Sequence, residues 1–148
     1  MILPDLNILL HAYNPDFPRH RIAKQWWEQA LDGEMGPIGL AWVTALGFLR
    51  IATNRNALER PMRAEDAVGI VRSWLAQEPV RIVTPGERHA EILFGLLEGL
   101  GTAGNLTTDA HLAALALEYR AEVATSDTDF ARFPGLRWFN PLSERGRR

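Results

Sequence analysis

Asp5, Asp109 and Asp127 stand where an α/β chain places working carboxylates. Asp5 directly follows the short apolar run Met1-Ile2-Leu3-Pro4 and precedes an apolar, helix-like stretch from Leu6. That puts it at the carboxyl end of a strand, the edge at which open α/β sheets bind ligands. Aspartate before an apolar helix is also a good N-cap, so the position taken alone leaves capping and chemistry both open. Asp127 nearly follows a second such strand, Glu122-Val123-Ala124-Thr125, and in a parallel sheet the two emerge on one edge. Asp109 falls in the first turn of a helix, where the chain has just crossed that edge. Converging anions repel unless protonated or bridged by a cation, and hard oxygen donors select magnesium or manganese. The chemistry of such a site is phosphoryl transfer, with the cation activating water and offsetting transition-state charge. Asp129 reads either as a further ligand or as an Asx turn that caps the Phe130 segment. Arg50, on a helix otherwise rich in apolar residues, reads as a snorkelling or structural ion-pair residue, or as a phosphate contact beside the acidic edge.

The elements that must position these groups follow from periodicity. Helices are expected over residues 6–13, 42–53, 63–77 and 108–119, with another around Ile22, Trp26 and Ala30 that Asp32-Gly33 ends. In the helix over 42–53 the expected inward residues are Leu46, Leu49 and Phe48. Thr84-Pro85-Gly86-Glu87 has the form of a capping box with proline at the first helical position, predicting a helix over 85–97. Short strands are expected at 1–4, 36–40, 80–83, 122–125 and 137–139, and the glycines between 99 and 105 read as a mobile linker outside the core. This alternation implies one α/β domain over 1–142, with a short, mostly parallel sheet of four to five strands between helices on both faces. Residues 143–148, with three arginines, read as a basic disordered tail.

Composition narrows the setting. The chain has 148 residues and no cysteine, which excludes disulfides and thiolate zinc sites, and its formal net charge of -2 argues against blanket affinity for polyanions without excluding a nucleic-acid enzyme. Without a long apolar run or a basic leader the expectation is a soluble cytoplasmic protein with no membrane contact. His11, His20, His89 and His111 show no familiar zinc spacing and read as surface or core residues. Gly99, Gly101 and Gly104 do not follow a strand, so they read as linker and not as a phosphate-binding loop. Trp26, Trp27 and Trp74 fall on apolar helical faces, as core or dimer interface. A phosphatase using an aspartyl nucleophile would need a second Asp two residues after the first, and Asn7 occupies that position.

With these residues in place the chain resembles the PIN-domain ribonucleases, specifically the VapC toxins of bacterial toxin–antitoxin pairs. The likeness rests on Leu3-Pro4-Asp5-Leu6-Asn7-Ile8-Leu9-Leu10, the run from Gly47 to Asn54, the run from Thr108 to Ala116 and the run from Thr125 to Leu136. The family's first, third and fourth acidic positions map onto Asp5, Asp109 and Asp127, and its small polar residue before the last aspartate onto Thr125. The resemblance implies a Mg2+- or Mn2+-dependent endoribonuclease, with Asn7 or Thr125 orienting a ligand or water. It implies a homodimer, and a cognate antitoxin whose arginine pairs with the aspartates. One departure stands out: Gly47 occupies the position where the family usually carries a glutamate. Without that charge the alternative is a catalytically silent PIN-like domain that binds RNA or protein.

Overall fold

The computed structural model describes residues 1–143. Five strands form a parallel sheet in the order β3-β2-β1-β4-β5: β1 (Ile2–Pro4), β2 (Ile38–Ala41), β3 (Val80–Val83), β4 (Glu122–Ala124) and β5 (Arg137–Phe139). The chain first builds outward from β1 to β2 and β3, then returns to lay β4 and β5 on the other side of β1. The order therefore reverses between β1 and β4, and this is the switch point at which an open α/β sheet leaves a crevice beyond its carboxyl ends.

Helices α1 (Leu6–Tyr13), α2 (His20–Leu31), α3 (Trp42–Ala52) and α4 (Ala64–Leu75) share one core cluster. Its centre is aromatic. Trp74 is fully buried against Tyr13, Trp27 and Phe48, and its indole N–H donates to the Tyr13 hydroxyl at 2.7 Å. Helices α5 (His89–Leu100) and α6 (Thr107–Glu118) build the second cluster with Leu3, Val83, Val123, Phe130 and Phe133. In α6 the run from Leu112 to Ala116 is buried throughout, as expected of a helix apolar on several sides.

The structure departs from the expected elements at three places. Leu46 points outward at 60 % exposure, because α3 buries Ala45, Phe48 and Ala52 instead. The glycine linker is shorter than expected: α5 runs to Leu100, Gly101 ends it with φ +71°, and Leu106 is buried in a single 3-10 turn, Gly104–Leu106. The helix expected from residue 85 starts at His89, so the capping box does not form. Its place is taken by α6. The Glu118 carboxylate accepts the backbone N–H groups of Gly86 at 2.8 Å and Arg88 at 3.1 Å. The Tyr119 hydroxyl accepts from Thr84 N–H and donates to Thr84 C=O. A Cβ at Gly86 would lie 2.5 Å from the Glu118 carboxylate, so a larger residue there would have to displace that carboxylate from its present bonds. Of the expected tail, Ser143 bonds back to Asn140, and residues 144–148 lie outside the described residues.

The two accounts of this turn give opposite mutational signatures. Glu118→Ala is expected to cost about 0.5–2 kcal/mol, the usual worth of a helix cap, in urea unfolding. Glu87→Ala, which a capping box would make costly, is expected to change stability by less than about 0.5 kcal/mol.

Candidate active site

Asp5 caps α1 and lines a cavity at the sheet's carboxyl edge. Its backbone N–H continues the ladder to Ala124 C=O, one carboxylate oxygen accepts the Leu6 N–H at 2.7 Å, and the other accepts the Thr125 hydroxyl at 2.7 Å. Thr125 is fully buried, and its Oγ1 also accepts the Asp127 N–H at 3.0 Å and the Asn7 side-chain amide at 3.5 Å. A hydroxyl offers one donor and two acceptor positions, and here all three are used. Asn7 completes the tie by accepting the Ser126 N–H at 3.5 Å. The β1–α1 junction and the loop after β4 are thereby held as one unit.

Asp127 opens a 3-10 turn, Thr128–Arg132, whose Phe130 is fully buried and anchors the loop. Its Oδ1 accepts the Asp129 N–H at 2.8 Å, so the Asx-type turn belongs to Asp127, and the Asp129 side chain is exposed. Asp109, in the first turn of α6, is half-buried. Its carboxyl is pushed up from 3.8 to about 6, first by burial and then by the charges of Asp5, Asp127 and Asp129. Burial likewise raises the Asp5 carboxyl, against the opposing hydrogen bonds from Thr125 and Leu6. The carboxylates predicted from sequence are thus close enough to act on one another.

Among the described residues none of the four is ion-paired with a lysine or arginine. As they stand, no three are gathered within reach of one ion. Their chemistry nevertheless fits a hard divalent cation, since all are oxygen donors and the charges of its neighbours add to burial in raising Asp109. Asp5 and Asp109 line a cavity of about 250 Å³ whose other wall is α3, with Gly47, Leu46 and the exposed Arg50. Arg50 has no ion-pair partner among the described residues.

Two features of this region had no sequence signal. Buried Thr44, also on the cavity wall, spends its hydroxyl on Pro4 C=O at 3.4 Å. His89 and His111 pair ring to ring, with nitrogens 3.0 Å apart, although they are 22 residues apart in sequence.

Fold and site agree with the similarities of the chain to known proteins. A family model described as PIN domain matches residues 2–136. The chain belongs to the PIN domain family. Within it the likeness is to the VapC ribonucleases: "Ribonuclease VapC33" of Mycobacterium tuberculosis is 50% identical over 144 residues, covering 97% of this chain and 100% of that protein. "Ribonuclease VapC37" of the same organism is 43% identical over 141 residues, covering 95% and 97%. In fold, the chain matches the crystal structure of VapBC2 from Rickettsia felis bound to a DNA fragment from their promoter. The TM-score is 0.66 at 18% identity, covering 95% of this chain and 98% of that one.

The raised carboxyls fix the sign of a pH dependence. The folded chain holds the Asp109 proton up to about pH 6, and the unfolded chain releases it near 3.8. The folded state therefore binds more protons across that window, and stability falls as pH rises through it. Asp109→Asn removes the repulsion. In chelator, at pH 7.5, it is expected to stabilise the fold by on the order of 1 kcal/mol, allowing for solvent screening at a half-exposed position. That gain shrinks as the pH is lowered toward 4, which urea unfolding at several pH values measures.

Proposed function

We propose that this chain is a divalent-metal-dependent endoribonuclease, a VapC-type toxin neutralised by a cognate antitoxin. The observation that carries the reading is that Asp5 and Asp109 line one cavity at the carboxyl end of the sheet, with the Asp109 carboxyl pushed up to about 6 by burial and then by the charges of Asp5, Asp127 and Asp129. Identity of 50% over 144 residues to a named ribonuclease supports RNA as the substrate.

Asp5, Asp109 and Asp127 would hold a Mg2+ or Mn2+ ion, with Asp129 as a further ligand. When bound, the ion supplies Lewis-acid charge to the phosphate and lowers the pKa of water. Thr125 fixes the Asp5 carboxylate, Asn7 ties that carboxylate's helix to the loop after β4, and Arg50 forks onto a backbone phosphate. Water oxygen forms the new P–O bond, the P–O3′ bond breaks, and the departing 3′ oxygen takes up a proton. The products are a 5′-phosphate and a 3′-hydroxyl.

The reading carries its partners with it. An antitoxin segment with a cationic side chain would neutralise the same carboxylates that a metal ion serves. A homodimer would cover exposed Trp42 and Leu46 on α3 and Phe94 on α5, which are 50%, 60% and 58% exposed. No helix among the described residues is long and apolar enough to cross a membrane, and we place the protein in the cytoplasm as one domain over 1–142 followed by a short basic tail. One observation favours the silent binding domain instead: Gly47 contributes no carboxylate to the α3 wall.

Cleavage of a labelled RNA pool by antitoxin-free protein decides between them. Cutting is expected with Mg2+ or Mn2+, and is expected to vanish in chelator and in Asp5→Ala, Asp109→Ala. Folded wild-type protein that cuts no RNA under any metal condition would establish the silent domain. Thr125→Val, which leaves Asp5 without its hydroxyl partner, is expected to lower activity about 10- to 100-fold, with Thr125→Ser retaining most of it.

A further inference from the structure

The cavity that Asp5 and Asp109 line is mostly hydrocarbon: Leu6 from α1, Val43 and Leu46 from α3, and Leu112 from α6. Gly47 continues this wall, since a Cβ there would lie 2.7 Å from Leu6 Cδ2 and the leucine fills that place instead. Leu112 is fully buried in the second core cluster, on which the partly buried Val43 also packs, while Leu6 packs on the first. Neither a phosphate nor a hydrated cation gains from such a surface, because both need water or charged partners around them.

Two hydrogen-bonding groups at the cavity are unspent. The Thr108 hydroxyl and the Arg50 guanidinium are exposed and have no partner among the described residues. Thr44, by contrast, has committed its hydroxyl to Pro4 C=O. A phosphate held at the carboxylates brings a ribose and a base with it. The base is the part of a nucleotide that has apolar faces and a hydrogen-bonding edge, and hydrocarbon walls with a hydroxyl at the mouth match both. The volume of about 250 Å³ lies below the roughly 300–1,000 Å³ of pockets for drug-sized ligands, which suits one ring system and not a stack.

We propose that this cavity is a nucleobase slot: one base of the RNA, next to the phosphate being cut, leaves its stack and inserts against Val43 and Leu112, with its edge on Thr108. This rests on the RNA-cleaving reading above and names the part of the substrate that the site grips. Unstacking costs least where the strand is unpaired, so the slot favours single-stranded segments over duplex. A hydroxyl both donates and accepts, so Thr108 serves any base edge. The slot therefore distinguishes a base from no base before it distinguishes among bases.

The test is methyl NMR of the antitoxin-free chain in chelator, titrated with adenosine, cytidine and uridine, and with ribose as the control that lacks a base. Uncharged probes in chelator take the metal and the phosphate out of the measurement. Saturable ring-current shifts are expected at the Val43, Thr108 and Leu112 methyls with each nucleoside and not with ribose. Thr108→Phe, which puts a ring into the slot from an exposed position, is expected to abolish those shifts while the urea midpoint holds. Val43→Phe is expected to do the same from the α3 wall. In cleavage assays Thr108→Phe is expected to raise KM for RNA about tenfold or more, the scale of one lost base contact, with kcat changed less. Methyls that ribose moves equally overturn the proposal. Methyls that no nucleoside moves also overturn it, and give the slot to an apolar side chain of a protein partner. Shifts that persist undiminished in both filled variants overturn it as well. A chain that binds nucleosides and cuts no RNA keeps the slot and loses the hydrolytic reading; one that cuts RNA while its methyls ignore every nucleoside does the reverse.

Discussion

The seam between β1 and β4 is the constraint on which the rest depends. It joins residues about 120 positions apart in pairs Ile2↔Glu122, Leu3↔Val123 and Pro4↔Ala124. Because side chains alternate across a strand, a slip of one residue would turn Leu3 and Val123 away from the second core cluster. It would also displace Asp5 from Thr125 by about 3.3 Å, more than a hydrogen bond tolerates. The hydrophobic register and the polar register are thus the same register. Thr125 enforces it with a hydroxyl that has no capacity left over.

That seam holds together groups that repel one another. Asp5 and Asp109 are raised by burial and by neighbouring carboxylates, so the site opposes folding at neutral pH. The elements bearing them are anchored elsewhere. Helix α1 starts at the Asp5 cap and buries Ile8 and Leu9 completely, and α6 buries the whole run from Leu112 to Ala116. Each acidic side chain sits at the end of an element whose apolar body fixes its direction. The repulsion is therefore borne by the cores and not relieved by the carboxylates swinging apart into solvent.

This division explains what the sequence made legible. Strand-then-aspartate at Asp5 and at Asp127 is a local pattern, and parallel alternation brings both to one edge, so their nearness was legible without coordinates. Side-chain direction on α3 could not. Trp42, Val43, Leu46, Phe48 and Leu49 leave no polar face, and only packing on α1 and α4 decides that Phe48 turns in and Leu46 out. The capping box at Thr84 failed for a related reason. Its local bonds compete with a charged carboxylate, and Glu118 reaches two backbone donors at once from another helix. The Leu6–Gly47 contact is likewise invisible locally, since an absent side chain carries no signal about what fills its place.

The same asymmetry bears on how RNA would enter. The chain is net -2, and its cavity sets Asp5 and Asp109, with Asp127 and Asp129 acting on them, against the single cation of Arg50. A phosphodiester approaching that edge meets fixed negative charge within the roughly 8 Å screening length of physiological salt. Arg50 can offset one charge, and it stands on the opposite wall from the carboxylates. A divalent ion among the aspartates would offset two of those charges where the scissile phosphate must sit, so on the proposed reading the metal favours substrate binding as well as the breaking of the bond. An antitoxin cation in the same place would neutralise the carboxylates while occupying the space that phosphate needs. Metal and inhibitor would then compete for one electrostatic vacancy with opposite consequences for RNA.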